Sequence, residues 1–341
     1  MNEPAPLIAV ICLSLVFTFT NGFQDGSSVT ATAIASRSLS PALTVALVAS
    51  AEFLGAVFGG SAVANSIQSI TDWPPTTSLL PVLASGLAAA IAWNFLTRLI
   101  RFPSSSTHAL VGGIVGAIVT ESGSFKYIVW GSPDSLVHTS GLWKVLISLF
   151  VSPIIGFCAG YLILVIIMII LLHSSTKVNQ TIKSVQCITV GTLAFGHGAN
   201  DTQKAMGIIL LSLNAAGMTT GNTIPLWVRL STGLAMAIGI VSLAHGIVKR
   251  VGSGIFRIQP VHALASQFAS ASVLLVGSTT GGPVAASQVI ASTVIGVGAA
   301  QRKKGVHWLV ARDMLVAWLL TIPGAGILAC LIHLTIVHRF Y

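Results

Sequence analysis

Apolar residues run along this chain in blocks of about 20, without the strict alternation of a half-buried strand. The blocks cover roughly 7–37, 42–65, 78–100, 103–119, 143–172, 185–215, 225–248, 259–277, 283–300 and 308–337. Blocks of this length predict helices that cross a membrane, since the hydrocarbon core is about 30 Å thick. A transmembrane β-barrel is excluded, because its strands need only about 10 alternating residues. Two blocks, 7–37 and 185–215, are too long for one straight crossing, and polar residues interrupt them at 21–28 and 196–204. That pattern predicts discontinuous helices. The blocks at 103–119 and 283–300 are short, rich in Gly, Ser and Ala, and start at proline. They predict half-helices in re-entrant hairpins, which a bilayer tolerates only where protein or a watery cavity surrounds them.

Composition agrees with that pattern. Of 341 residues, 54% are hydrophobic and 7% charged, against about 25% charged in a soluble domain. The fold class is therefore all-α and polytopic, embedded in a lipid bilayer. The net charge of +9 sits mostly between apolar blocks, as the positive-inside bias of cytoplasmic loops requires. No basic soluble domain exists to bind nucleic acid, so none is expected as a partner. The strongest basic loops are Lys249-Arg250 through Arg257 and Arg302-Lys303-Lys304. If both are cytoplasmic, the chain between them returns to the side it left. Cys12, Cys158, Cys187 and Cys330 are dispersed and lack metal spacing, so they read as small core residues. No basic residue precedes the first apolar run, and no cleaved signal peptide is expected.

The order of signals repeats. Asp25 and Asp201 lie 176 positions apart, and Pro103 and Pro283 lie 180 apart. A third pair, Pro153-Ile154-Ile155-Gly156 and Pro323-Gly324-Ala325-Gly326, is offset by 170. Matched signals in one order imply duplication, with repeats at 1–175 and 185–341. The repeats are inverted if each crosses the membrane an odd number of times.

Both polar interruptions carry a carboxylate, in Asn21-Gly22-Phe23-Gln24-Asp25-Gly26-Ser27-Ser28 and in Gly196-His197-Gly198-Ala199-Asn200-Asp201-Thr202-Gln203-Lys204. A charge at membrane depth costs several kcal/mol by most estimates unless it has a partner or a role. Asp25 and Asp201 are thus candidate cation or proton sites, with Asn21, Gln24, Ser27, Ser28, Asn200 and Gln203 as neutral ligands. The competing reading is that each Asp caps a helix. Lys204 shares a helix face with Asp201; it is either a structural ion pair or a charge that fills a metal position or draws an anion. Ser104-Ser105-Ser106-Thr107-His108, and Ser287 with Thr279 and Thr280, place hydroxyls where half-helices begin. Together with the backbone N–H groups they suit an anion. Glu52 is the remaining acid deep in an apolar block, and it either titrates during transport or pairs with an arginine such as Arg98. No Walker A motif is present, so ATP hydrolysis is not expected.

These residues resemble the inorganic phosphate transporters of the PiT (Pho-4) family. Gly198-Ala199-Asn200-Asp201 matches that family's doubled signature, and Gly22-Phe23-Gln24-Asp25 matches it with Gln in place of Asn. Pro103-Ser104-Ser105-Ser106-Thr107-His108 is similar to its hairpin motif, while Pro283-Val284-Ala285-Ala286-Ser287-Gln288 is a degenerate copy. The resemblance implies an inverted-repeat transporter of inorganic phosphate, not an enzyme, in a cell (inner) membrane. It assigns Gln24, Ser105, Ser106, Thr107, Asn200 and Ser287 to the substrate. Asp25, Asp201, Ser28, Lys204 and Glu52 go to the coupling cation. Ser28 and Lys204 stand where relatives carry Asn, and an ammonium is a poor neighbour for sodium. The expectation is therefore proton rather than sodium coupling, with phosphate carried as a neutral complex with a divalent metal and no resident cofactor. Homo-oligomerisation is left open. Sulfate permeation, known in this family, is the alternative. A passive anion channel is the alternative of a different class, although the sequence shows no obvious ring of repeated basic pore residues. An intramembrane aspartyl protease would not need a Ser/Thr element in each half.

Overall fold

The computed structural model describes residues 5–100, 102–131, 140–175, 177–247, 258–302, 304 and 306–340. Among these, eleven helices carry the fold. They are α1 (Ala5–Ala35), α2 (Pro41–Phe58), α3 (Ala62–Gln68), α4 (Leu79–Leu99), α5 (Ser106–Ser122) and α6 (Gly141–Ile170). α7 (Val178–Ala215), α8 (Leu226–Ile247), α9 (Pro260–Thr280), α10 (Ala286–Arg302) and α11 (Trp308–Phe340) follow. Local chemistry sets several ends. Ser40 and Pro41 open α2, and the Ser40 side chain accepts a bond from the Leu43 N–H. Ser105 caps α5 through the His108 N–H. Gly281 closes α9 with a left-handed φ of 77°, a backbone angle that glycine adopts without steric cost. Lys249, Arg250, Arg257 and Lys303 lie outside the described residues.

Helices α4 and α5 form one hairpin, and α9 and α10 another. The first closes at its base, where the Asp72 N–H donates to the Tyr127 carbonyl at 3.3 Å and the Val129 N–H to that of Ile70 at 2.9 Å. Val261 and Ala265 of α9 likewise share one apolar cluster with Val297 and Ala300 of α10. Each hairpin thus returns to the side it left. The crossings of each half are α1, the α2–α3 pair and α6, then α7, α8 and α11.

Packing partners are exchanged between the halves: α1 lies along α8 and α2 along α7. Gly22 faces Met236 and Gly26 faces Ile240, so α1 and α8 are parallel. Leu47 faces Gly191 and Glu52 faces Gly198, so α2 and α7 are parallel as well. Residues 36–40 join α1 to α2 in a short turn, which makes that pair antiparallel. Therefore α7 runs opposite to α1, and the repeats are inverted.

One expectation fails. The Asp-bearing stretches are not breaks: α1 runs unbroken from Ala5 to Ala35, and α7 from Val178 to Ala215. The small residues that read as breaks are places where a neighbouring helix comes close. Asp25, Asn200, Gln203 and Lys204 find partners on other elements there, while the backbone keeps its own helical bonds. The chain breaks instead at Gly59–Ser61 and at the two hairpin tips.

Burial separates core from rim. Every residue of α7 from Gly196 to Leu210 is buried. The most apolar window of α6 has a mean hydropathy of 2.7 but is only 17% buried. An apolar helix left this open faces lipid rather than protein.

Candidate functional site

The site forms where both hairpin tips meet the middles of α1 and α7. Asp25 lies ten residues before the end of α1, about 15 Å along the axis and half the thickness of a bilayer core. The hydroxyl of Ser106, first residue of α5, donates to Asp25 Oδ2 at 2.9 Å. On α7 the Lys204 ammonium donates to Asp201 Oδ1 at 2.6 Å, to Thr107 Oγ1 at 2.6 Å and to the Val284 carbonyl at 2.8 Å. An ammonium has three N–H bonds, and all three are used. One side chain of 0% exposure thus ties α7 to the tip of each hairpin.

His197 connects the remaining acids. Its Nδ1 lies 2.8 Å from Glu52 Oε1, and its Nε2 lies 3.5 Å from Asp201 Oδ2. Neither approach meets hydrogen-bond angles, so both are close contacts rather than hydrogen bonds. Gly198 allows this arrangement, because the Glu52 backbone of α2 packs against its bare Cα. Asp25, His197 and Asp201 each present a ligand atom, and these lie within 4.8 Å of one another. Two carboxylates and an imidazole suit a divalent cation.

Unpaired polar atoms concentrate in the same place. Both polar atoms of Asn21, Asn200 Oδ1, His108 Nε2, Gln288 Oε1 and Asp201 Oδ2 are buried without a hydrogen-bond partner. Native interiors leave few such groups, and each asks for an explanation. A set of donors and acceptors around buried charges is what a small ion needs in place of its water shell.

The expected residues separate on inspection. Asp25, Asp201, Lys204, Glu52, Ser106 and Thr107 are brought together. Asn200 reaches the second tip, donating to the Gly282 carbonyl at 3.0 Å. Ser105 is at the first tip, but its hydroxyl is engaged as the α5 cap. Ser287 is half-buried at the start of α10. Gln24 is half-buried and lines a crevice with Asn94 and Arg98. Ser28 is half-buried and contributes no hydrogen bond to the cluster among the described residues. Gln203 holds the start of α3, accepting from the Val63 N–H at 2.8 Å. Thr279 and Thr280 are exposed and bond back to α9 carbonyls. Glu52 faces His197, while Arg98 lies over the Phe23 ring.

Sequence reasoning gave His197 no role. Two signals mark it. It is four residues before Asp201, hence on the same helix face, and the repeat offset of 176 pairs it with Asn21.

Comparison with known proteins shows the family and the fold. The chain is 33% identical over 329 residues to a Bacillus subtilis (strain 168) protein named "Probable low-affinity inorganic phosphate transporter", covering 96% of each. A Rhizobium meliloti (strain 1021) protein of the same name is 33% identical over 330 residues, covering 96% of this chain and 95% of that one. A solved structure titled "The sodium-dependent phosphate transporter" superposes with a TM-score of 0.85 over 99% of this chain and 100% of its own. At 21% identity that likeness shows the fold. The profile of one family matches twice, over residues 21–182 and 170–329, once for each inverted repeat. The chain therefore belongs to the phosphate transporter family, as a multi-pass membrane protein.

Proposed function

We propose that the chain is a secondary active transporter that carries inorganic phosphate together with a coupling cation by alternating access. The observation that carries this reading is the meeting of both hairpin tips with the carboxylates of both repeats. Phosphate binds at the tips through Ser106, Thr107, Ser287 and the amide of Asn200, with Ser105 and Gln24 beside them. Asp25 and Asp201 take up positive charge next to it. Co-binding is physically sensible, because a cation lowers the cost of an anion in a low-dielectric site.

The coupling ion in this reading is the proton. Support comes from Lys204: its ammonium already fills the cation position at Asp201 Oδ1, and a proton needs no coordination shell. The ligand set of Asp25, His197 and Asp201 supports a divalent metal travelling with phosphate as cargo.

Radiolabelled phosphate and sulfate uptake into proteoliposomes tests the reading. Uptake should follow an imposed proton gradient, prefer phosphate and fall when divalent metal is chelated. Uptake that needs a sodium gradient and ignores a proton gradient would sink proton coupling. Asp25→Asn and Asp201→Asn should each abolish coupled uptake while the protein stays folded. Normal transport by either variant sinks the paired-site reading.

A further inference from the structure

Lys144 carries a charge down to the tip of the second hairpin. It lies in the first turn of α6. That helix begins on the side where the first hairpin closes, since the Leu142 N–H donates to the Val129 carbonyl at 2.8 Å. The Lys144 Nζ lies 3.0 Å from the point that a Cβ on Gly281 would occupy. The next residue, Gly282, offers its carbonyl to Asn200 at 3.0 Å, and Asn200 adjoins Asp201. The ammonium is therefore close to the level of the central carboxylates. A charged side chain at this depth faces the bundle interior or a water-filled cavity rather than lipid.

Lys204 spends all three of its N–H bonds on the protein. The Lys144 ammonium makes no hydrogen bond or ion pair among the described residues. Lys144 is half-buried, and Thr279 and Thr280 of the same tip are exposed. Polar groups left open at this level need water, so this flank of the tip, between α3 and α6, is wet. Two hydroxyls border it. Ser66 Oγ of α3 lies 3.0 Å from the same point at Gly281, and Ser148 Oγ of α6 lies 3.0 Å from the corresponding point at Gly282. Each donates to a carbonyl of its own helix, Ser66 to Ala62 at 3.3 Å and Ser148 to Lys144 at 2.7 Å. A hydroxyl hydrogen rotates to suit its surroundings, so each can turn toward an arriving anion.

We infer that Lys144 captures inorganic phosphate on the side where α6 begins, with Ser66 and Ser148 beside it, before the anion passes between the tips; this inference rests on the transport reading above. A single free ammonium at the tip attracts an oxyanion through water and holds it by charge-assisted hydrogen bonds. The anion in turn supplies the opposite charge that the ammonium lacks. The site between the tips already holds Lys204 in a closed set of bonds, so Lys144 is the lysine at the second tip whose N–H groups remain for substrate.

Proteoliposomes carrying the full chain, supplied with radiolabelled inorganic phosphate, test this. Lys144→Gln should raise the KM for phosphate about tenfold, equivalent to 1.4 kcal/mol, with the change falling on KM rather than on Vmax. Lys144→Arg should recover most of the loss. Added salt should raise the wild-type KM more than that of Lys144→Gln, because screening weakens only an attraction that is present. In detergent, acetylation of Lys144 by sulfo-N-hydroxysuccinimidyl acetate, read by mass spectrometry, should slow with inorganic phosphate but not with sodium chloride of equal ionic strength. The exposed Lys126 should react at one rate throughout. An unchanged KM in Lys144→Gln overturns the proposal, as does a fall in Vmax alone; Lys144 then acts only by packing on the tip. Protection by phosphatidylglycerol but not by inorganic phosphate overturns it too, and assigns the ammonium to a lipid headgroup. Wild-type protein that takes up no phosphate would sink the transport reading instead, while protection of Lys144 by phosphate would still report capture.

Discussion

Lys204 is the residue on which the site closes. Its ammonium satisfies a carboxylate, a hydroxyl and a carbonyl, each from a different element. Removing one member of a buried ion pair leaves the other charge uncompensated, at about 3–5 kcal/mol. Lys204→Met should therefore lower the thermal unfolding midpoint in detergent sharply. The double variant Lys204→Met with Asp201→Asn should unfold at a higher temperature than Lys204→Met alone, because no lone charge remains. A double variant as unstable as the sum of its parts would show that packing, not charge pairing, holds this position. Much of the cluster is legible in the sequence. Asp25, Glu52, Asp201 and Lys204 stand out because charges are rare in apolar blocks, and the Ser/Thr run stands out because it follows a proline. His197 does not stand out, because a histidine in a glycine-rich stretch is unremarkable until Glu52 is known to face it. That contact joins positions 145 residues apart, and nothing local encodes it.

At the scale of elements, α7 shows why the expected helix breaks are absent. Glycine there serves contact with α2, not bending. A Cβ added at Gly198 would lie 2.6 Å from the Glu52 Cα and 2.7 Å from its carbonyl carbon, well inside contact distance. At Gly191, seven residues earlier on the same helix, the nearest atom to an added Cβ is Leu47 Cδ1 at 3.7 Å, an ordinary contact. Alanine in a helix interior is favoured over glycine by about 1 kcal/mol, and overpacking costs about 1–3 kcal/mol. Gly191→Ala should thus leave the unfolding midpoint unchanged or raise it. Gly198→Ala should lower it and impair phosphate uptake, because α2 carries Glu52 and must move. Equal midpoints for the two variants would contradict this close approach. Periodicity and turn chemistry placed all the long helices. They could not separate a glycine that breaks a helix from one that admits a neighbour, since both leave the same gap in the hydrophobic pattern. The hairpins were legible because proline and serine mark half-helix starts whatever packs around them.

For the whole molecule, the inverted repeat brings equivalent residues face to face. His108 and Gln288 are 180 positions apart, the same offset that separates Pro103 from Pro283. They meet: Gln288 Nε2 and His108 Nδ1 lie 3.1 Å apart, both residues buried. Two equivalent residues can touch in an inverted pair only near its pseudo-two-fold axis, so this contact marks where hairpin meets hairpin. Each side chain keeps a second polar atom unpaired, His108 Nε2 and Gln288 Oε1. The bond between them joins the two tips directly, beside the bridge that Lys204 makes between Thr107 and the Val284 carbonyl. Side-chain hydrogen bonds between membrane helices contribute about 0.6 kcal/mol on average and up to about 1.7 kcal/mol. A double-mutant cycle with His108→Ala and Gln288→Ala isolates that coupling from the cavities each substitution leaves. The unfolding free energy in detergent should show non-additivity within that range. In the transport reading, the two hairpins shift against each other as access alternates. Either single variant should then reduce phosphate uptake more than its stability loss predicts, and the double variant should do little further harm. Strict additivity in both measurements would mean that the repeats meet at this contact without depending on it.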